Sequence, residues 1–118
     1  MSKSDEIKKA IGAHGMWKTR LRSAVDTGHS EFTVDKVKAD NNCDFGKWLH
    51  GLPNDEKKSE HWTKIRDLHA KFHVEAAKIL ESAVTGKKEV AAKGLDAASE
   101  FSKLSAGLTT AMMNWEKD

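Results

Sequence analysis

Apolar residues recur at every third or fourth position over most of this chain, and no segment sustains the alternation with period two that is typical of a strand. Pro53 is the only proline. The apolar fraction is 38%, which suits helices that each bury a single face. We therefore predict an all-α fold: an antiparallel helical bundle with three long helices and one or two short helices between the first and the second.

Three stripes of apolar residues, each on one face of a predicted helix, define the long helices. The first contains Ile7, Ile11, His14, Trp17, Leu21 and Val25; the second contains Trp62, Ile65, His69, Phe72, Ala76, Ile79 and Val84; the third contains Leu95, Ala98, Phe101, Leu104, Leu108, Met112 and Trp115. We predict that Ser4 caps the first helix and that residues 53–55 open the second. Close packing is the expected reason for Gly94 and Gly107 in the third, because glycine weakens a helix. The runs TVDKVKA and CDFGKWLHGL predict the short helices.

The composition limits the classes of partner. Charged residues make up 32% of the chain, with a net charge of +2, and the two signs alternate instead of forming a basic block. This pattern argues against nucleic acid as a partner and favours a solvated helix surface. No signal peptide and no apolar run of membrane-spanning length is visible. With one cysteine, the expected location is the cytoplasm, and residues 1–118 are expected to form a single domain.

Two histidines occupy positions where a plain bundle would carry leucine. His14 and His69 lie inside apolar stripes, and a buried imidazole without a partner costs about 1–3 kcal/mol. A single such histidine is usually a core residue bonded to a carbonyl or carboxylate. His73, however, follows His69 by one helical turn, so both rings lie on one face. This spacing is typical of a zinc chelate, although alone it is a weak signal.

The only cysteine can complete such a site. Cys43 and His14 would add two ligands from separate elements, which gives a predicted metal site of His14, Cys43, His69 and His73. If Asn41 or Asn42 caps the short helix, the thiol lies in its first turn, where the thiolate is favoured. From spacing alone, a small buried cysteine among core residues fits equally well. The remaining histidines, His29, His50 and His61, are interpreted as surface or loop residues.

Three motifs together resemble a known family. The runs HGMW at 14–17, CDFGKW at 43–48 and HAKFH at 69–73 resemble the chemoreceptor zinc-binding domain in order and in spacing, with 25 residues between the first two motifs and 20 between the last two. The resemblance covers nearly the whole chain and implies Zn²⁺ held by His14, Cys43, His69 and His73. Four matching residues are better read as structural: Trp17, Phe45, Gly46 and Trp48.

The resemblance also implies a function. Members of that family are regulatory sensors of the bacterial cytoplasm, joined to chemotaxis receptors or diguanylate cyclases or standing alone, and they often dimerise. We therefore expect a homodimeric sensor whose Cys43 responds to zinc level or to oxidants such as hypochlorous acid, with a chemoreceptor or diguanylate cyclase as output partner. No receptor hairpin or GG(D/E)EF-like motif is present. The chain is therefore either a free-standing member or the sensor part of a longer protein.

Two alternatives remain open. A protein-interaction or dimerisation module with a purely structural zinc site would carry the same ligands, and methionines at 16, 112 and 113 with Trp115 are candidates for a dimer contact. An enzyme is not expected. Di-iron bundles need carboxylates and histidines from four helices, whereas the third long helix has no histidine. A catalytic zinc would keep an open position that four ligands close.

Overall fold

The computed structural model describes residues 3–39 and 43–117, and every regular element within those ranges is a helix. The helices are α1 (Lys3–Thr27), α2 (Val34–Lys38), α3 (Asp44–His50), α4 (Asn54–Lys57), α5 (Glu60–Val84), α6 (Lys88–Gly94) and α7 (Glu100–Lys117). The predicted all-α bundle is confirmed, with α1, α5 and α7 as its long members. The described part contains more short helices than predicted, because three precede α5 and one follows it.

The first and last helices run antiparallel. The hydroxyl of Ser4, near the start of α1, donates a hydrogen bond of 2.8 Å to the carboxylate of Glu116, near the end of α7. Ser4 was predicted to cap α1, but Lys3 before it is already helical. Its hydroxyl is used in this contact between helices, which outweighs the local preference for a cap.

Helix α3 connects the start of α5 with the end of α7. The indole Nε1–H of Trp62 donates to the carbonyl of Leu49 over 2.9 Å, and the rings of Trp48 and Trp115 lie 5.7 Å apart. The end of α7 therefore lies beside the start of α5, so these two helices are also antiparallel. Since α7 opposes both of its neighbours, α1 and α5 run in the same direction, and the described residues between them, 28–39 and 43–59, form a crossover.

Two boundaries differ from the sequence prediction because serine caps interrupt the predicted helices. Residues 53–55 open only the short α4, and α5 begins after Ser59, whose hydroxyl accepts the N–H of His61 at 3.1 Å. The predicted third helix is likewise divided. Helix α6 ends at Gly94, and α7 begins after Ser99, whose hydroxyl accepts the N–H of Ser102 at 3.1 Å.

The core is built from the predicted stripes, with three exceptions. Ala98 lies in the turn before α7 and is exposed, Val84 at the end of α5 is 40% exposed, and Leu104 of α7 is only half-buried and outside the core cluster. The other members of the α1 and α5 stripes are buried or packed against the core, and His14 and His69 are buried with them. The fold therefore places two imidazoles in the middle of an apolar interface. Among the described residues, no helix is both long and apolar enough to cross a bilayer.

Close packing explains one of the two glycines singled out in the sequence. A Cβ added at Gly94 would approach Cγ1 of Ile79 to 2.6 Å, whereas a Cβ at Gly107 would meet nothing within 4 Å. We expect Gly94→Ala to lower the free energy of unfolding by about 1–3 kcal/mol through this clash. Gly107→Ala, its matched control, should raise that free energy by about 1 kcal/mol. Urea denaturation of both variants checks this, and equal effects would contradict the close approach.

Candidate metal centre

Three buried histidines meet where α1 packs against α5. His14 comes from the middle of α1, and His69 and His73 come from successive turns of α5. Their exposed fractions are 5%, 0% and 2% respectively. Because residues four apart on a helix share a face, the two imidazoles of α5 both turn toward α1. The apolar stripes thus carry a polar cluster into the core.

The crossover supplies the fourth side chain. Cys43 is itself the N-cap of α3, and its Sγ accepts the backbone N–H of Gly46 at 3.3 Å. The predicted caps, Asn41 and Asn42, lie outside the described residues. Phe45 is buried beside the cluster, with its ring 5.8 Å from the His14 ring and 5.2 Å from the His69 ring. Its packing fixes α3, and therefore the cysteine, against the histidines.

The imidazole of His69 lies at the centre of the group. Its Nε2 is 3.0 Å from Nε2 of His14, 3.1 Å from Nε2 of His73 and 3.3 Å from Sγ of Cys43. All four potential ligand atoms lie within 4.8 Å of one another. Zinc bonds of about 2.0–2.1 Å to nitrogen and 2.3 Å to sulfur imply tetrahedron edges of about 3.3–3.6 Å. The three distances from Nε2 of His69 lie at or slightly below those edges, so small shifts of the side chains would fit the group around one small cation.

Backbone carbonyls determine the tautomers of two of the histidines. Nδ1 of His14 lies 2.7 Å from the carbonyl oxygen of Ala10, and Nδ1 of His73 lies 2.9 Å from that of Val37. A carbonyl only accepts, so both Nδ1 atoms carry the proton and donate it. In the neutral rings, Nε2 then presents a lone pair to the cluster. Such outer hydrogen bonds are the usual way of orienting a metal-binding imidazole.

The surroundings keep the imidazoles of His14 and His69 neutral. Burial lowers the pKa of His14 from 6.5 to about 4, against the opposing effect of the Ala10 carbonyl and with a further lowering by His73. Burial also lowers the pKa of His69 from 6.5 to about 2, and the charges of His73, His14 and His50 lower it further. Neutral rings are the form that binds metals. The site is therefore suited to a cation near neutral pH without prior loss of protons from these rings.

The donor set identifies the class of metal. Three imidazole nitrogens and one sulfur suit zinc, for which four protein ligands make a closed tetrahedral site. Magnesium and calcium prefer oxygen ligands, and the cluster contains no carboxylate among the described residues. The residues present therefore fit a structural or regulatory zinc ion better than a catalytic one.

The structure brings together all four residues that were predicted from the sequence, and His29, His50 and His61 are outside the group. Two further contributors were missed, the carbonyls of Ala10 and Val37. The first has a recognisable signal, since a side chain on a helix can bond the carbonyl one turn before it. The second has none, because every residue carries a carbonyl and only the crossover brings this one to His73.

Acid should destabilise the metal-free protein. Unfolding restores the ordinary pKa of about 6.5 to His14 and His69, so below this pH the unfolded chain binds more protons than the folded chain. Stability should therefore fall as pH drops from 6.5, by at most about 1.4 kcal/mol per pH unit for each histidine. Urea denaturation of metal-free protein at several pH values measures this slope. His14→Leu should make the dependence of stability on pH shallower. An unchanged slope in that variant would contradict the lowered pKa of His14 as a cause of the acid sensitivity.

Comparison with known proteins agrees with this geometry. A family model described as the chemoreceptor zinc-binding domain matches residues 14–80, more than half of the chain, and this span includes the whole four-residue group. The family is a regulatory zinc-binding one and not a catalytic one, and its members occur in chemoreceptors and signalling proteins. The prediction of zinc as cofactor is confirmed in these terms. No curated protein and no solved structure matches the chain.

Proposed function

Since this chain belongs to the chemoreceptor zinc-binding domain family, we propose that it is a sensory zinc domain of bacterial signalling that works in the cytoplasm. The proposed ligands of one Zn²⁺ are His14, Cys43, His69 and His73. The observation that supports this most strongly is the orientation of two imidazoles. The carbonyls of Ala10 and Val37 hold the Nδ1 atoms and leave both Nε2 atoms directed at the group.

Cys43 is the proposed point of response. Bound zinc would supply positive charge that keeps the sulfur as a thiolate, and Gly46 donates its N–H to the same sulfur. A thiolate attacks the chlorine of hypochlorous acid, which forms an S–Cl bond and releases hydroxide. Hydroxide then displaces chloride from the sulfur and gives sulfenic acid, so that the sulfur has lost two electrons overall. Two equivalents of a thiol reductant return the thiol, with release of water and a disulfide of the reductant.

Helix α3 would transmit the change. It carries Cys43 at its N-terminus, and Phe45 and Leu49 anchor it, with 4% and 0% of their surfaces exposed. Loss of the sulfur ligand removes one attachment of this seven-residue helix while the histidines stay on α1 and α5. Trp48 contacts Trp115 of α7, so a displaced α3 would also disturb the end of α7. That region is the proposed origin of the signal.

The proposed partners follow from the family and from exposed methionines. Met16 on α1 is 55% exposed and Met113 on α7 is 47% exposed, so these two side chains are the candidate contacts of the proposed homodimer. Met112 and Trp115, named with them in the sequence, complete the monomer's own core. The proposed output is a chemoreceptor or a diguanylate cyclase. We take residues 1–118 as one domain, because α7 packs against both α1 and α5.

Zinc content tests the proposal. We expect about one zinc per chain in the wild type by mass spectrometry, and release of that zinc by one equivalent of hypochlorous acid. Cys43→Ser should bind zinc at least about 100-fold more weakly, since changes even in the outer shell cost 10–100-fold. Its residual zinc should not respond to oxidant. Dithiothreitol should restore zinc binding in the wild type, which separates cysteine oxidation from oxidation of the exposed methionines.

Two outcomes would count against the proposal. A well-folded wild type without zinc would return Cys43 to the role of a core residue, and an equal oxidant response in Cys43→Ser would exclude that sulfur as the sensor. Zinc retained through oxidation would leave either a sensor of zinc level or an interaction module with a structural zinc site. The closed four-donor arrangement and the burial of the three histidines favour this second candidate function.

A further inference from the structure

An open groove of about 660 Å³ runs along one side of the four-residue group. His14, Cys43 and His73 all contribute to its wall, whereas His69 is fully buried and does not. Cys43 is only partly buried. The group is therefore closed on the side of the core, and its sulfur is the part that borders solvent on the side of the crossover. A purely structural site has no need of such an opening.

The groove has an aromatic wall and a charged rim. The guanidinium of Arg20 lies 5.1 Å from the ring centroids of both Trp17 and Phe32, so its charge is fixed at one edge. Two lysines and two carboxylates complete the charged lining: Lys9, Lys36, Glu6 and Asp44. Lys9 pairs with Glu6 over 3.9 Å, so the lining as a whole carries one more cationic group than anionic groups. As a ligand of the groove, a small molecule with several carboxylates is therefore favoured electrostatically over a cation such as a free hydrated metal ion.

We propose that this groove is the binding site through which a small polycarboxylate chelator exchanges metal with the folded protein. The inference rests on the proposed function and identifies the ligand class that brings zinc or removes it. Without the groove, metal could leave only when α3 or a long helix separates from the bundle. With it, a chelator reaches the metal from the side of Cys43 while the helices stay packed. The occupancy of the site can then follow the chelated zinc pool around it.

The test measures the rate of metal transfer. The protein is loaded with Co²⁺, and the thiolate-to-cobalt absorption band is followed after addition of nitrilotriacetate, an anionic chelator, or of a neutral tetrapyridyl diamine. We expect the rate to rise in proportion to the concentration of either chelator. The double variant Lys9→Glu with Lys36→Glu should slow transfer to nitrilotriacetate roughly five- to tenfold at low ionic strength and leave the neutral chelator unaffected. Added salt should reduce the difference.

Matched controls separate the groove from the general surface. Lys71→Glu changes an exposed charge of α5 outside the groove and should alter neither rate. Ala13→Phe fills the groove from its wall and should slow both chelators, whereas Ala106→Phe, at an exposed position of α7, should slow neither. If Ala13→Phe fails to fold, the lysine variants still decide the question, because both side chains are exposed.

Two results would overturn the inference while leaving the proposed function intact. The first is a rate independent of chelator concentration, which means that spontaneous opening limits exchange. The second is equal rates in the groove variants and their controls. Absence of the thiolate-to-cobalt band would be different. It would show that Cys43 does not ligate the metal, and the proposed function would fail with the inference.

Discussion

A His69→Leu variant is expected to lose zinc completely and still to fold at least as well as the metal-free wild type. Nε2 of His69 is within 3.3 Å of the other three donors, so its removal takes away the centre of the site. The position is fully buried in an apolar stripe. Burying an imidazole costs about 1–3 kcal/mol relative to an apolar side chain, and leucine removes that cost.

Metal analysis and urea denaturation of chelator-treated protein check both halves of this expectation. His61→Leu is the matched control, since His61 lies on the same helix outside the group and should keep its zinc. Full zinc occupancy in His69→Leu would remove His69 from the ligand set. If His69→Leu were much less stable than the metal-free wild type, the imidazole would have to stabilise the fold even without metal. His69→Gln would then show whether a polar side chain is required there.

Removal of zinc from the wild type should cause the second large effect. A ligand present at about 1,000 times its Kd stabilises the folded state by about 4 kcal/mol. For a domain of this size, that corresponds to a fall in Tm of about 10–20 °C when the metal is removed. Calorimetry with and without a chelator measures the difference. His69→Leu should show no such difference, and a shift of equal size in that variant would mean that the chelator acts elsewhere.

Hydrogen exchange should show which helices open more readily after zinc is removed. The histidines stay anchored in α1 and α5 by neighbouring apolar residues, whereas α3 is short and depends on a few buried side chains. We expect faster exchange in α3 and α2 after zinc removal and little change in the centre of α5. Uniformly faster exchange over the whole chain would contradict a local role of the metal at the crossover.

The long helices and the inward position of His14 and His69 could be predicted because the 3.6-residue period fixes which side chains of a helix share its apolar face. The spacing of His69 and His73 likewise fixed their common direction. Cys43 was different, since spacing alone left a core cysteine equally possible. Only the resemblance of three motifs to the zinc-binding family favoured Cys43 as a metal ligand. The structure adds the distances that bring its sulfur to the histidines.

Other features were beyond a reading of local pattern. Ser59 and Ser99 cap the N-termini of α5 and α7, so these two helices begin later than apolar periodicity indicates. A cap of this kind competes with continuation of the helix through the serine. The parallel course of α1 and α5 depends on how the crossover passes over the bundle. Sequence periodicity carries no information about that path, and the carbonyl of Val37 reaches His73 only because of it.

The crossover also has a consequence for the order of folding. The cysteine is 26 positions from His69, and His14 is 55 positions from it, so the donors can meet only after two sizeable loops have closed. Contacts of such long range form late in folding. An interaction that is absent from the transition state slows unfolding and leaves the folding rate nearly unchanged. Bound metal should therefore lengthen the lifetime of the folded chain without accelerating its formation.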